Sequence, residues 1–186
     1  MTITPNYTRT VDRPALLAAV SDILVAIGED PDREGLRETP RRVADMYLEM
    51  FDGLGEDPTA LIESAIFNEP EAGELVTVAD ISFDSMCEHH LLPFRGHVTV
   101  SYAPAGGRVV GLSKLARVVD TVARRPQVQE RMTRQILDAV AHSALQPAGV
   151  LVEVEAEHLC MSVRGVRKQG AITRTAARWG SLATPG

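Results

Sequence analysis

From residue 12 onward the apolar positions recur with helical spacing. Leu16, Leu17, Val20, Ile23, Leu24 and Ile27 share one face, with Asp12 as a cap, Pro14 in the first turn and Gly28 as the stop. Residues 29–38 (EDPDREGLRE) are polar and read as a loop. Thr39-Pro40 then supplies a cap and a first-turn proline for a second helix, which carries Val43, Met46, Tyr47 and Met50 and ends near Gly53. A short third helix is expected after Pro58, in the segment LIESAIF.

At Leu75 the texture changes to β-branched runs. LVTVADISF, HVTVSYAP and RVVGL read as strands, with Pro104 and Gly106-Gly107 marking a hairpin turn between the last two. Ser113 is the expected cap of a helix with Leu115, Val118, Val119 and Val122, stopping at Arg125-Pro126. A further helix takes in Val128, Met132, Ile136, Leu137 and Val140 and reaches about Leu145. VLVEVEAEHLCMSV alternates, with Leu151, Glu153, Glu155 and Glu157 on one face and Val150, Val152, Val154, Ala156, His158 and Cys160 on the other. A weaker last strand is expected over residues 171–175. Three helices followed by ββααββ predict an α+β fold, an antiparallel sheet with helices on one face.

Length and composition bound what such a fold can do. With 186 residues, 45% hydrophobic and 24% charged, one domain is expected. No run approaches the roughly 18 apolar residues of a membrane span, and residues 1–10 (MTITPNYTRT) lack the apolar core of a signal peptide, so no membrane partner and a cytoplasmic location are expected. Residues 1–90 hold 6 Arg against 19 acids, and residues 91–186 hold 13 bases against 6 acids. The acidic whole argues against nucleic acid, while the Arg-rich second half suits a compact anion such as phosphate. The same split also fits charges that pair between subunits or helices.

Both cysteines of the chain stand beside histidines, in Cys87-Glu88-His89-His90 and in His158-Leu159-Cys160, and a chain of this length needs no disulfide staples. In a turn, Cys87 and His90 at i and i+3 share a side; on a strand, His158 and Cys160 share a face. Cys87, His90 and Cys160 then provide three of the four tetrahedral positions Zn²⁺ prefers. A water in the fourth position makes a hydrolytic centre, with His89 and His158 free to pass protons; His158 in that position makes a closed structural Cys₂His₂ site. Spacing alone leaves both open.

Two further features are less specific. Ser113, Lys114 and Arg117 open a helix, and Arg164, Arg167 and Lys168 follow Cys160; helix-start amides, a hydroxyl and cations suit a phosphate, although such faces are commonly just solvated. Gln129 and Glu130 begin the next helix. A carboxylate there can accept two parallel hydrogen bonds from guanine's ring N–H and amino group, though Glu130 also fits an ordinary surface position.

GLRETPRRVADMY, CEHHLLPFRGHVTVSYAP, GLSKLARVVDTVARRPQVQERMT and HLCMSVRGV, in that order, resemble the GTP cyclohydrolase I family, and the resemblance spans residues 23–180. It implies a tunnelling fold, with residues 1–70 as a helical N-terminal region and 71–180 as the catalytic core of one domain. It implies zinc held by Cys87, His90 and Cys160 with water as the fourth ligand, and hydrolytic opening of the guanine imidazole ring of GTP. Formate would leave and 7,8-dihydroneopterin triphosphate would form, as the first step of pteridine and tetrahydrofolate biosynthesis. The implied proton-transfer residues are His89 at the purine ring and His158 in the ribose rearrangement. Gln129 and Glu130 match the guanine-recognising pair, and Ser113, Lys114, Arg117, Arg164 and Arg42 match the triphosphate binders. Family members form decamers of two pentameric rings with shared sites, so a homo-oligomer is expected.

The chain departs from the family pattern in places. It ends at Gly186 where relatives usually continue into a C-terminal helix, which bears on ring packing. Ala171 replaces a common serine, and Asp45 and His97 stand where many relatives carry other, often basic, residues. Two other readings use the same residues: another tunnelling-fold purine or pterin enzyme with Cys87 as nucleophile, or a zinc-stapled nucleotide-binding paralogue without turnover.

Overall fold

The computed structural model describes residues 11–183, so the leader reading of residues 1–10 lies outside the described residues. The chain opens with α1 (Arg13–Ala26) and α2 (Thr39–Met50), then a 3₁₀ turn (Asp52–Gly55) and α3 (Pro58–Glu63). Asp12 caps α1 as expected, its carboxylate accepting from Ala15 N–H at 3.0 Å. Thr39 is not a cap: α2 already includes it, Glu38 precedes it in helical conformation, and Pro40 holds the first turn. The apolar face of α1 is only partly used. Val20 and Leu24 are buried, whereas Ile23 and Ile27 are exposed, because α1 packs on α2 and on little else.

The segment after Pro58 divides where one helix was expected. Glu63 ends α3, and Ile66–Asn68 form β1, which pairs antiparallel with β4 (Arg108–Val110). The turn at Gly106-Gly107 is present, with both glycines at positive φ, but it does not close a hairpin with the preceding strand; β4 leaves the main sheet for β1.

The main sheet has the order β5-β2-β3-β6-β7, with β2 (Val76–Cys87), β3 (Leu92–Ala103), β5 (Pro126–Gln127), β6 (Gly149–His158) and β7 (Ile172–Gly180). All its pairings are antiparallel except β2 with β5. A bulge between Val78 and Ile81 puts Asp80 at φ 55 and shifts the register of β2. Two helices, α4 (Leu112–Ala123) and α5 (Gln129–Ala141), lie against one face, giving the α+β architecture read from the pattern. Gly111 rather than Ser113 precedes α4, since Leu112 and Ser113 already turn as helix.

Alternation makes the core. Phe94, Val98, Val100 and Tyr102 of β3 and Val150, Val152, Val154 and Ala156 of β6 are buried under Leu115, Val118 and Val122 of α4 and Met132, Ile136 and Val140 of α5. The opposite face carries ion pairs, Arg95 with Asp84 at 3.2 Å and Arg174 with Glu155 at 2.7 Å. Burying Tyr102 requires a partner for its hydroxyl, which accepts from Val110 N–H at 3.2 Å and ties β4 to the sheet. Tyr102→Phe leaves that buried N–H without its acceptor and is expected to cost about 1–3 kcal/mol, read as a lower urea midpoint at unchanged slope.

Candidate metal centre and its surroundings

Three segments meet at one end of the sheet: the end of β2, the turn leading into β3, and the end of β6. In the turn, Leu91 N–H donates to Cys87 O at 2.9 Å, and Leu91 itself takes φ 50. This brings His90 back over Cys87. Strand β6 stops at His158, and Cys160 lies in α6 (Leu159–Ser162), so His158 and Cys160 do not share a strand face as expected; the helical turn redirects the thiol. The ligand atoms of Cys87, His90 and Cys160 all lie within 4.8 Å of one another, a group that could hold a metal ion.

The donor set fits a soft divalent cation. Cys87 is buried and Cys160 half-buried. Burial raises the Cys160 thiol above its ordinary range, the nearby Cys87 sulfur adds to that, and Arg164 opposes it weakly. A cation between the two sulfurs relieves that penalty by pairing with both thiolates. Arg164 Nη1 also stands 3.2 Å from His90 Nε2 and, having only donors, treats that nitrogen as an acceptor.

The turn is tied down from β5 and the start of α5. Glu88 N–H donates to Gln127 O at 3.0 Å, and the Glu88 carboxylate accepts from the Arg131 guanidinium. Arg131 donates in addition to Gln127 Oε1 at 3.1 Å and Pro126 O at 3.2 Å. The hydrogen bond from Arg131 holds the Glu88 carboxyl below the usual range. His89 projects into solvent, with Nε2 4.0 Å from Glu88 Oε1.

His158 is in a different setting. It stands opposite Phe94 in the β3–β6 register, and the two rings stack at 4.5 Å with planes 3° apart. Burial lowers its basicity, and the charge of Glu130 partly restores it, which also locates Glu130 near this imidazole. His158 Nε2 lies 2.8 Å from Gln129 Oε1.

Gln129 corrects an expectation. It was expected beside Glu130 on guanine, but its side chain is turned inward and is 1% exposed. Its amide nitrogen lies 3.1 Å from Val154 O, Thr173 O and Thr175 Oγ1, so no donor is left for a ligand. Glu130, one residue on, is exposed.

Of the basic residues singled out from the sequence, all of them described, Arg164 is the one hydrogen-bonded to the cluster. Ser113, Lys114 and Arg117 lie on the first turns of α4, while the last turn approaches the cluster through Ala123 O, which accepts from Ser85 Oγ at 2.6 Å. Ten residues of helix separate the two ends by about 15 Å. Arg117 instead lines a groove with Asp52, Glu56 and Asp120. Arg42 is exposed on α2. Sequence reading missed Phe94, Gln127, Arg131, Thr133 and Thr175, all of which act across elements and leave no local pattern in the sequence.

Comparison with known proteins agrees with this geometry. Residues 16–185 match the family model for GTP cyclohydrolase I. The GTP cyclohydrolase 1 of Bacillus pumilus is 56% identical over 173 residues, covering 93% of this chain and 90% of that protein. Those of Clostridioides difficile and Bacillus subtilis are each 56% identical, over 90% and 91% of this chain and 87% of theirs. Over that span the Cys–His cluster, the paired helices and the sheet lie within one matched unit, and the chain belongs to the GTP cyclohydrolase I family.

Proposed function

We propose that this chain catalyses the zinc-dependent hydrolytic opening of the guanine imidazole ring of GTP. Formate leaves, and 7,8-dihydroneopterin triphosphate forms as the first step of pteridine and tetrahydrofolate biosynthesis. The observation that carries this reading is the approach of Cys87, His90 and Cys160 within 4.8 Å in a member of this family. Two sulfurs and an imidazole suit zinc, and three protein ligands leave one position open, the arrangement of catalytic rather than structural sites. Zinc held there supplies Lewis-acid activation of water near neutral pH. His158 is drawn away from that open position by Gln129 and Phe94, which supports the open site over the closed Cys₂His₂ alternative.

The chain's own residues divide the remaining work. His89, exposed beside the ligand turn, exchanges a proton with the purine ring. His158 serves the ribose rearrangement. Glu130, near His158 and free in solvent, accepts from guanine's ring N–H and amino group, a pair adenine does not offer. Arg164 stands at the cluster to meet the triphosphate, and Ser113, Lys114, Arg117 and Arg42 extend the cationic surface that holds it.

The charge split and the exposed Ile23, Val25 and Ile27 of α1 support assembly with further copies, which we read as a decamer of two pentameric rings with shared sites. Residues 11–70, helical apart from β1, serve as an N-terminal region and 71–180 as the catalytic core. No helix among the described residues is long and apolar enough to cross a membrane, in keeping with a cytoplasmic role.

Purified protein loaded with zinc and given GTP is expected to release formate and yield a pterin that fluoresces after oxidation and dephosphorylation. Binding of GTP without formate contradicts the reading. Cys160→Ala is expected to reduce bound zinc from about one per chain to background by elemental analysis, with loss of turnover. His89→Ala retains the zinc and lowers kcat about 10²–10⁴-fold. For Glu130→Ala, losing hydrogen bonds to a charged group is expected to raise the GTP KM by about 10–100-fold in steady-state kinetics.

A further inference from the structure

The carboxamide of Gln129 has only one orientation available. Val154 O and Thr173 O are backbone carbonyls, which accept and never donate, and both lie 3.1 Å from the Gln129 amide nitrogen. Reversing the amide would press its oxygen against two other oxygens. The adjoining hydroxyls agree. Thr133 Oγ1 donates its one hydrogen to Gln129 O at 2.8 Å. Thr175 Oγ1, at 2.7 Å, therefore donates to Thr133 Oγ1 and keeps a lone pair for the Gln129 amide nitrogen at 3.1 Å.

The orientation of the Gln129 amide is thus fixed, nitrogen toward the carbonyls and oxygen toward His158, where the chain ends. Gln129 Oε1 can only accept, so the ring nitrogen 2.8 Å away, His158 Nε2, is the one that carries hydrogen. Flipping the ring would set a C–H against that oxygen, and the flat stack on Phe94 holds the ring in plane.

We infer that Gln129 is a positioning residue that holds His158 as the Nε2–H tautomer, which leaves Nδ1 as the ring nitrogen that can accept a hydrogen bond from substrate. The inference rests on the acid–base role given to His158 above.

The test uses zinc-loaded, full-length protein with ¹⁵N-labelled histidine and long-range ¹H–¹⁵N correlation at alkaline pH, with His158→Ala assigning the peak. The wild type is expected to show the Nε2–H pattern. Thr175→Val keeps both carbonyls and is expected to keep that pattern. Gln129→Met, of similar size but without an acceptor, is expected to show both tautomers and a kcat lower by about 10–100-fold, with the GTP KM within about threefold. A wild type that turns over GTP with hydrogen on Nδ1 overturns the inference alone. So does a Gln129→Met variant with unchanged kcat and a KM raised tenfold or more, which makes Gln129 a substrate contact. Should that variant fail to fold, the wild-type and Thr175→Val spectra still decide. A zinc-loaded wild type with no turnover overturns the functional reading, and with it the role of Nδ1.

Discussion

The antiparallel pairing of β3 with β6 is the constraint on which the site depends. With Phe94 opposite His158, the ring falls on the same face as Val154 and Ala156, toward α5, where Gln129 can reach it. A slip of one residue would turn that face outward and bring Glu157 inward. Gly96 helps prevent this, since a Cβ there would sit on the Glu155 carbonyl, and only glycine lets the two strands approach so closely. The apolar alternation under α4 and α5 supplies the energy that holds this register, so the core and the site are set by one pairing.

The ligand cluster depends on a second set of connections, from β5 and α5 back to the turn after β2. A four-residue turn with Leu91 in a left-handed conformation has little intrinsic stability. Its backbone is held by Gln127 through Glu88 N–H, and its side by Arg131 on the Glu88 carboxylate. The segment 126–131 therefore serves both halves of the site. Gln127 and Arg131 fix the ligand turn, while Gln129, pointing the other way, fixes His158. That division explains why two glutamines two residues apart are both buried in a short polar run.

Periodicity in the sequence disclosed element types well, because the two-residue and 3.6-residue repeats come from the buried faces themselves. It disclosed boundaries less well. Thr39 and Ser113 are good caps by residue type, yet each lies just inside its helix, since the preceding backbone had already begun to turn. The run LIESAIF gave no sign that Ile66 and Phe67 would leave the helix, because their partners, Val110 and Val109, lie more than forty residues on. The bulge at Asp80 was equally hidden. For the site, Cys87, His90 and Cys160 were legible because each motif is local and both pair cysteine with histidine. Gln129 was misread because its neighbour Glu130 is exposed and its own partners come from β6 and β7.

Exposure then separates the residues proposed to meet substrate from those that support them. His89, Glu130 and Arg164 face solvent, where side chains are free to exchange water for a ligand. Gln129 and Thr133 are buried and make their hydrogen bonds within the chain. His158 spans the two regions, half-buried, with one ring nitrogen committed to Gln129. Its imidazole is biased toward the neutral form by burial and drawn back by Glu130, so the carboxylate assigned to guanine also tunes the neighbouring base. A guanine bound on Glu130, as proposed, would replace water around that carboxylate and strengthen its interaction with His158, since charges interact more strongly as solvent is excluded. On the proposed roles, substrate recognition and proton transfer would be coupled through Glu130 and His158, and the hydrogen bond from His158 to Gln129 holds the imidazole in place.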